Sequence, residues 1–147
     1  LETMIDVATD NPLLASLGVT TVTVAQGKCT IELAIEPRHL NRTRTLQGGV
    51  SATLLDAACG YAGLDQGDGV LGNAATLMLS ISYLGKVSAG RVRAVATVTH
   101  AGRSIYFSQA ELIAENGNRI ATAQGTFKRD RRDRRNEREG PPADRSR

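Results

Sequence analysis

Tryptophan is absent from the 147-residue chain, and three tyrosines and two phenylalanines are its whole aromatic content. Proteins that hold single-stranded nucleic acid stack bases on aromatic side chains, so that class is disfavoured and no nucleic-acid partner is expected of the chain's body. Cysteine is scarce too. Cys29 and Cys59 are the only two, too few for a disulfide framework; they read as small buried thiols in a reducing compartment. No uncharged stretch exceeds 17 residues, and Gly69 to Gly85, one of that length, is broken by Gly, Asn, Ser and Thr. A spanning helix takes about 20 mostly apolar residues, so no membrane segment is predicted. The first ten residues hold Glu2, Asp6 and Asp10 but no Lys or Arg, unlike the basic start of a secretory signal. Together these absences predict a cytoplasmic protein. Also missing are a Walker-type phosphate loop, a G-x-G-x-x-G fingerprint and any metal-ligand spacing of His, Cys or carboxylates, so neither a metal nor a cofactor is expected.

What is present divides unevenly. The net charge is +3 overall, yet residues from Lys128 onward hold nine basic and five acidic side chains, against nine and ten before it. The near-neutral body, residues 1–128, has the size of one domain with an adequate core. Residues 129–147 contain almost no apolar side chain and end the pattern with Gly140-Pro141-Pro142. Such a segment cannot offset its ordering entropy by burial and is predicted to be a disordered, solvated tail. A patch for nucleic acid or an acidic partner is the alternative.

Within the body, Asn11-Pro12 predicts a short helix start, with Asn as N-cap and Pro at the first helical position, ending near Gly18. Val19–Gln26 and Cys29–Ile35 alternate around Gly27-Lys28 and read as a hairpin. Pro37–Gln47 is polar and irregular. Gly48 to about Leu64, rich in Ala and Leu, is the main helix. Four strands follow over Ala74–Leu84, Arg91–His100, Ser104–Glu115 and Arg119–Lys128, separated by turn signals that include Asn116-Gly117. Leu77, Leu79, Ile81 and Tyr83 are expected to share one face of the first, and Val92, Ala94, Ala96 and Val98 one face of the second. Strands before and after one central helix, joined late by tight turns, give an α+β fold with an antiparallel sheet.

The main helix is apolar or small on every face and carries a single charge, Asp56. An unpaired carboxylate in such a setting is costly and needs a partner or a task. Asp56 therefore either caps a loop or pairs with an Arg, or it does chemistry. Gln47-Gly48-Gly49 opens the same helix, and first-turn N–H groups lack intrahelical acceptors and favour negative charge. Such donors can hold the oxyanion formed when a carbonyl is attacked. Gly48 and Asp56 are eight residues apart, about 12 Å along a helix axis. One helix cannot offer both groups to one carbonyl; two antiparallel helices from two copies can. If both act, the protein is a dimer with shared sites.

The segment Asn41…Gln47-Gly48-Gly49-Val50…Leu54-Leu55-Asp56, with Thr76…Leu79-Ser80-Ile81-Ser82-Tyr83-Leu84 and the late Ala101-Gly102-Arg103 turn, resembles hotdog-fold acyl-CoA thioesterases of the PaaI-like group over roughly residues 11–128. The resemblance implies a hotdog fold, an antiparallel sheet wrapped around one long helix, working as a homodimer or a dimer of dimers. It implies that the Gly48 N–H polarises the thioester carbonyl with help from the Asn41 amide. Asp56 of the other copy would then act as nucleophile or as base toward water, and Thr76 would position that water. Gly49, Arg103 and Ser104 would contact substrate, whose CoA phosphates call for positive charge near the cleft mouth. Lys86 and Arg91 lie in or beside turns as well, and solvated turn residues are the simpler reading of any one of these cations.

One position departs from the family, which has His directly before Gly-Gly where this chain has Gln47. A Gln amide donates and accepts hydrogen bonds but cannot change charge near neutral pH. His39 and His100 are expected to be surface residues and do not replace it. The expected function is hydrolysis of a small acyl- or aryl-CoA thioester, CoA being part of the substrate. A non-catalytic acyl-CoA sensor or scaffold is the alternative, and a dehydratase of the same fold fits less well because no His is placed with an acid.

Overall fold

In a computed structural model the chain is described from Glu2 to Asp130. Of the charged tail expected over 129–147, residues 131–147 lie outside the described residues; Arg129 does not belong to it, because it completes the last strand. Strands β1 (Thr3–Met4), β2 (Thr21–Ala25), β3 (Lys28–Ala34), β4 (Ala74–Tyr83), β5 (Arg91–Ala101), β6 (Ile105–Ala114) and β7 (Arg119–Arg129) form a sheet in the order β1-β2-β3-β5-β6-β7-β4. Every neighbouring pair is antiparallel. Helices α1 (Val7–Asp10) and α2 (Pro12–Leu17) precede β2, and the long helix α3 (Gly48–Ala62) lies across the sheet. This is the hotdog arrangement, with an unclosed sheet whose ends are β1 and β4. Among the described residues no helix is long and apolar enough to cross a membrane.

Local chemistry explains the elements. Asn11 Oδ1 accepts the Leu14 N–H at 3.2 Å and caps α2, which ends on Gly18 in the left-handed conformation (φ 89°). Val22, Val24, Ile31, Leu33, Val92, Ala94, Ala96 and Leu112 turn one face of the sheet into a buried floor for Leu54, Leu55, Ala58 and Cys59 of α3. Burying Leu54 and Leu55 contributes roughly 1.5–3 kcal/mol each. The alternation that predicts β5 holds: Val92, Ala94 and Ala96 are buried and Val98 packs at their edge. Cys29 and Cys59 are free and buried, as expected.

Three features lie beyond the sequence reading. Thr3–Met4 pairs with β2, Val7–Asp10 is helical, and Pro37–His39 forms a 3-10 turn inside the segment expected to be irregular. His39, expected at the surface, is 1% exposed. Its Nδ1 accepts the Glu36 N–H at 2.9 Å, and its Nε2 donates to Leu17 O at 2.7 Å. A polar loop can bury an imidazole when both ring nitrogens meet backbone partners. His100 is exposed, as expected.

Carbonyls at the C-terminal end of α3, where intrahelical donors run out, are met by the sheet as well as by the cap. Ser108 Oγ donates to Cys59 O at 2.9 Å, Tyr106 Oη to Gly60 O at 2.6 Å, and the Arg129 guanidinium to Gly63 O. Arg129 also lies over the Tyr106 ring, 4.6 Å from its centroid.

Two measurements check this core. Burial pushes the thiols of Cys29 and Cys59 up to about 12, a neighbouring thiol adding to the first and Asp56 to the second. Thiolate is the reactive form, so Ellman's reagent at pH 8 labels neither in folded protein and both in urea. His39→Ala strands two buried backbone groups and lowers stability by about 1–3 kcal/mol, read as a lower urea midpoint at unchanged slope.

Candidate active site

The start of α3 is set by the loop before it. Asn41 Oδ1 accepts the N–H groups of Thr43 at 3.0 Å and Thr45 at 3.1 Å, and Asn41 Nδ2 donates to Thr45 Oγ1 at 3.0 Å. The turn forces Arg44 to φ 63°. Leu46 N then bonds Val87 O at 2.8 Å, and Gln47 N bonds the carbonyl of buried His39 at 2.9 Å. Gln47 is the N-cap of α3, exposed, and makes no side-chain capping bond. Gly48 and Gly49 form the first turn, where a Cβ on Gly49 would meet nothing within 4 Å. Their N–H groups face outward from the helix end, as first-turn donors do.

Asp56 lies two turns further on, half-buried. Thr76 Oγ1 of β4 donates to Asp56 Oδ1 at 2.9 Å. Among the described residues the ion pairs join Glu36 to Arg38 and His39, and Glu111 to Arg119; none reaches Asp56. The carboxylate is thus held by a neutral hydroxyl rather than neutralised by a cation. It borders a cleft of ≈ 160 Å³ whose other walls include Gly60, Tyr61, Leu64 and Phe127. Tyr61 closes one side, its hydroxyl donating to Asp10 and accepting from Asn11 Nδ2 at 3.4 Å. Burial and the Asp10 carboxylate together push the Tyr61 phenol up to about 12.

Thr76 reaches Asp56 because β4 is irregular. Thr76 pairs with Phe127 and Met78 with Thr126, so Leu77 is an extra residue in the ladder. Strict alternation would put Thr76 on the face opposite Leu79, Ile81 and Tyr83. The bulge shifts the phase by one residue, as bulges do when they re-aim a side chain. Thr76 consequently faces α3 together with Leu79 and Ile81, and Leu77 is displaced from the expected apolar face and is 56% exposed.

Tyr83, counted as an apolar strand residue in the sequence, has a second function in the structure. Its hydroxyl donates to Gly48 O at 2.6 Å while its side chain stays half-exposed. The signal available was the hydroxyl itself, since a Tyr on a helix-facing strand position needs a polar partner. Within one copy Asp56 and Thr76 come together. Gln47, Gly48 and Gly49 are consecutive at the start of α3, and the Asn41 side chain bonds within its own loop, to Thr43 and Thr45. Arg103 and Ser104 sit in the β5–β6 turn, just past the row Tyr106–Phe127–Thr76 that crosses β6, β7 and β4. They share the sheet end of Thr76. Ser104 O accepts the Arg129 N–H at 2.7 Å, and Arg103 is exposed.

Residues 44–121 match the sequence profile of the Thioesterase superfamily. Human acyl-coenzyme A thioesterase 13 is 30% identical over 95 residues, covering 64% of this chain and 66% of that protein. The chain spans 53% and 66% of the length of the curated relatives it matches. Among solved structures, a conserved protein from Pseudomonas aeruginosa superposes with TM-score 0.71 at 29% identity, over 80% of this chain and 93% of that one. A mutant of phenylacetic acid degradation protein PaaI from Thermus thermophilus gives TM-score 0.73 at 27% identity, over 82% and 100%. With the antiparallel sheet, the long helix and the Gly-Gly start already in view, the chain belongs to the hotdog-fold thioesterase superfamily and is related to its PaaI-like acyl-CoA thioesterases.

Proposed function

We propose that the protein hydrolyses a small acyl- or aryl-CoA thioester to the free acid and CoA, at sites shared between two copies. One observation carries this reading: strand β4 contacts the acid through Thr76 near one end and the helix start through Tyr83 at the other. Its outer edge has no partner among the described residues, and Leu77, Met78, Tyr83 and Leu84 are exposed along it. An uncovered apolar edge strand is a template for pairing. Two copies pairing β4 antiparallel about a two-fold axis set the Thr76 end of each beside the Tyr83 end of the other. Asp56 of one copy then meets Gly48 of its partner, which a single helix cannot arrange.

The chemistry follows from the parts. First-turn N–H groups at Gly48 and Gly49 bind the thioester oxygen and stabilise the charge that grows on it. Asn41 holds the loop that presents them. Asp56 attacks the carbonyl carbon, or takes a proton from a water that does, with Thr76 fixing the carboxylate. Where Asp56 acts as base, the tetrahedral intermediate collapses to the acid with loss of the CoA thiolate, which takes up the proton held by Asp56. Where Asp56 attacks, collapse expels the thiolate and leaves a mixed anhydride on Asp56, which water hydrolyses to the acid. Gln47 orients substrate by hydrogen bonding and carries no proton. The same pairing brings Arg103 and Ser104 of one copy toward Lys86 and Arg91 of the other, giving the CoA phosphates cations at the cleft mouth. The exposed, uncharged Gln47 favours one competing reading, an acyl-CoA binder without turnover.

Thiol release from a panel of acyl- and aryl-CoA esters, run on wild type and Gln47→His, tests the activity. Wild type releases CoA, Gln47→His raises the rate, and Asp56→Asn lowers kcat/KM by about 10²–10⁴. Binding without thiol release by wild type assigns the protein to the competing class, and Asp56→Asn at wild-type rate removes Asp56 from the reaction. Sedimentation equilibrium tests the assembly. Wild type is at least a dimer, and Leu77→Lys dissociates it and lowers turnover in step; an active monomer refutes the shared site.

A further inference from the structure

The first turn of α3 is built from a segment with little to hold it. Gln47 makes no capping bond, and two successive glycines follow. Glycine restricts the backbone least of all residues, so the N–H groups that must point at a developing oxyanion are attached to the softest part of the helix. Thr53 Oγ1 donates to Gly49 O at 2.9 Å from inside the helix. From outside it, Tyr83 Oη donates to Gly48 O at 2.6 Å. The Tyr83 ring also lies against Gly48, with Oη 3.4 Å and Cζ 3.5 Å from where a Cβ would stand. The phenol therefore holds Gly48 by a hydrogen bond, from the last residue of a strand.

A peptide unit is planar, so the Gly48 C=O and the Gly49 N–H are opposite ends of one rigid group. Fixing the carbonyl fixes the direction of that N–H. A donor on the carbonyl also polarises the unit, which strengthens the N–H as a donor in turn.

We propose that Tyr83 is a positioning residue for thioester hydrolysis: its hydroxyl clamps the Gly48–Gly49 peptide so that the first-turn N–H groups stay aimed at the oxyanion. This inference rests on the thioesterase reading above. It gives β4 a task at each end, Thr76 orienting the acid and Tyr83 orienting the amides, with the two ends serving the two different sites of a dimer.

Tyr83→Phe keeps the ring and removes the hydroxyl. With a CoA ester that wild type hydrolyses, kcat falls about tenfold, less than the ~10²–10³ lost when an oxyanion donor itself is deleted. KM stays within twofold and the sedimentation profile is unchanged, a split that mere loosening of the fold would not produce. In ¹⁵N-labelled protein the Gly49 amide signal moves and its hydrogen exchange quickens. Wild-type turnover with an unaltered kcat in Tyr83→Phe overturns the clamp, as does an unmoved Gly49 amide. Loss of turnover together with subunit dissociation also overturns it, assigning the hydroxyl to subunit contact. A wild-type protein that hydrolyses no ester in the panel overturns the underlying reading instead, and the amide signals separate that failure from failure of the clamp.

Discussion

The close seating of α3 on the sheet is the constraint from which the rest of the structure follows. A Cβ on Gly63, at the end of α3, would stand 2.2 Å from the Tyr106 ring of β6, and one on Gly125 of β7 would stand 2.6 Å from the Phe127 ring and 3.5 Å from Cys59 Cβ of α3. Only glycine leaves room for those aromatic side chains at those places. With helix and sheet that near, side chains on the strands reach helix backbone directly. Ser108, Tyr106 and Arg129 meet the carbonyls at the C-terminal end, where the helix offers acceptors without donors and a cation is favoured by the dipole. Tyr83 does the same at the other end. The helix is therefore fixed at both termini by hydrogen bonds as well as by Leu54 and Leu55, and its single charge is held at a defined point along β4.

Much of this was legible because the periods are clean. β-branched alternation over residues 19–35 and 91–98, the Asn11-Pro12 start and the Asn116-Gly117 turn each have one cheap local solution, and the structure adopts it. The charge on α3 stood out because everything around it is apolar. Two features were not legible, for different physical reasons. The bulge at Leu77 is a matter of register: Thr76 and Leu79 are three apart, and no local signal says that an extra residue intervenes before β7 is in place. His39 is a matter of tertiary partners. Its burial depends on Leu17 O, 22 residues away, and on a 3-10 turn that supplies the Glu36 N–H. Polarity of the surrounding loop predicts exposure, and long-range backbone acceptors reverse it.

The candidate site shows the same division. Residue types and spacing along α3 point to an acid and an anion-favouring helix start, and the helix length separates them. What the sequence could not supply was the strand that contacts both. β4 is the last strand of the sheet by spatial order though not by chain order, a consequence of the return of β7 beside it. Its apolar side chains looked like core. With Leu77 and Tyr83 more than half exposed in a single copy, they are instead an uncovered margin. Hydrophobic alternation reports that a face is to be covered; it does not say whether the cover comes from the same chain.

Gln47 sharpens what the proposed chemistry asks of each group. A titratable residue before the glycines would allow proton transfer on the oxyanion side of the cleft. An exposed amide with no capping bond allows only orientation. In the proposed reaction, the oxyanion side then consists of fixed dipoles alone, and the attack depends on Asp56 and any water it activates. Fixed dipoles are effective in proportion to how little they must reorganise when charge appears. Rigidity at Gly48 and Gly49 thus becomes more important here than it would be beside an ionisable neighbour. The hydroxyl of Tyr83 on the Gly48 carbonyl meets that requirement from outside the helix, where two glycines in sequence cannot meet it themselves.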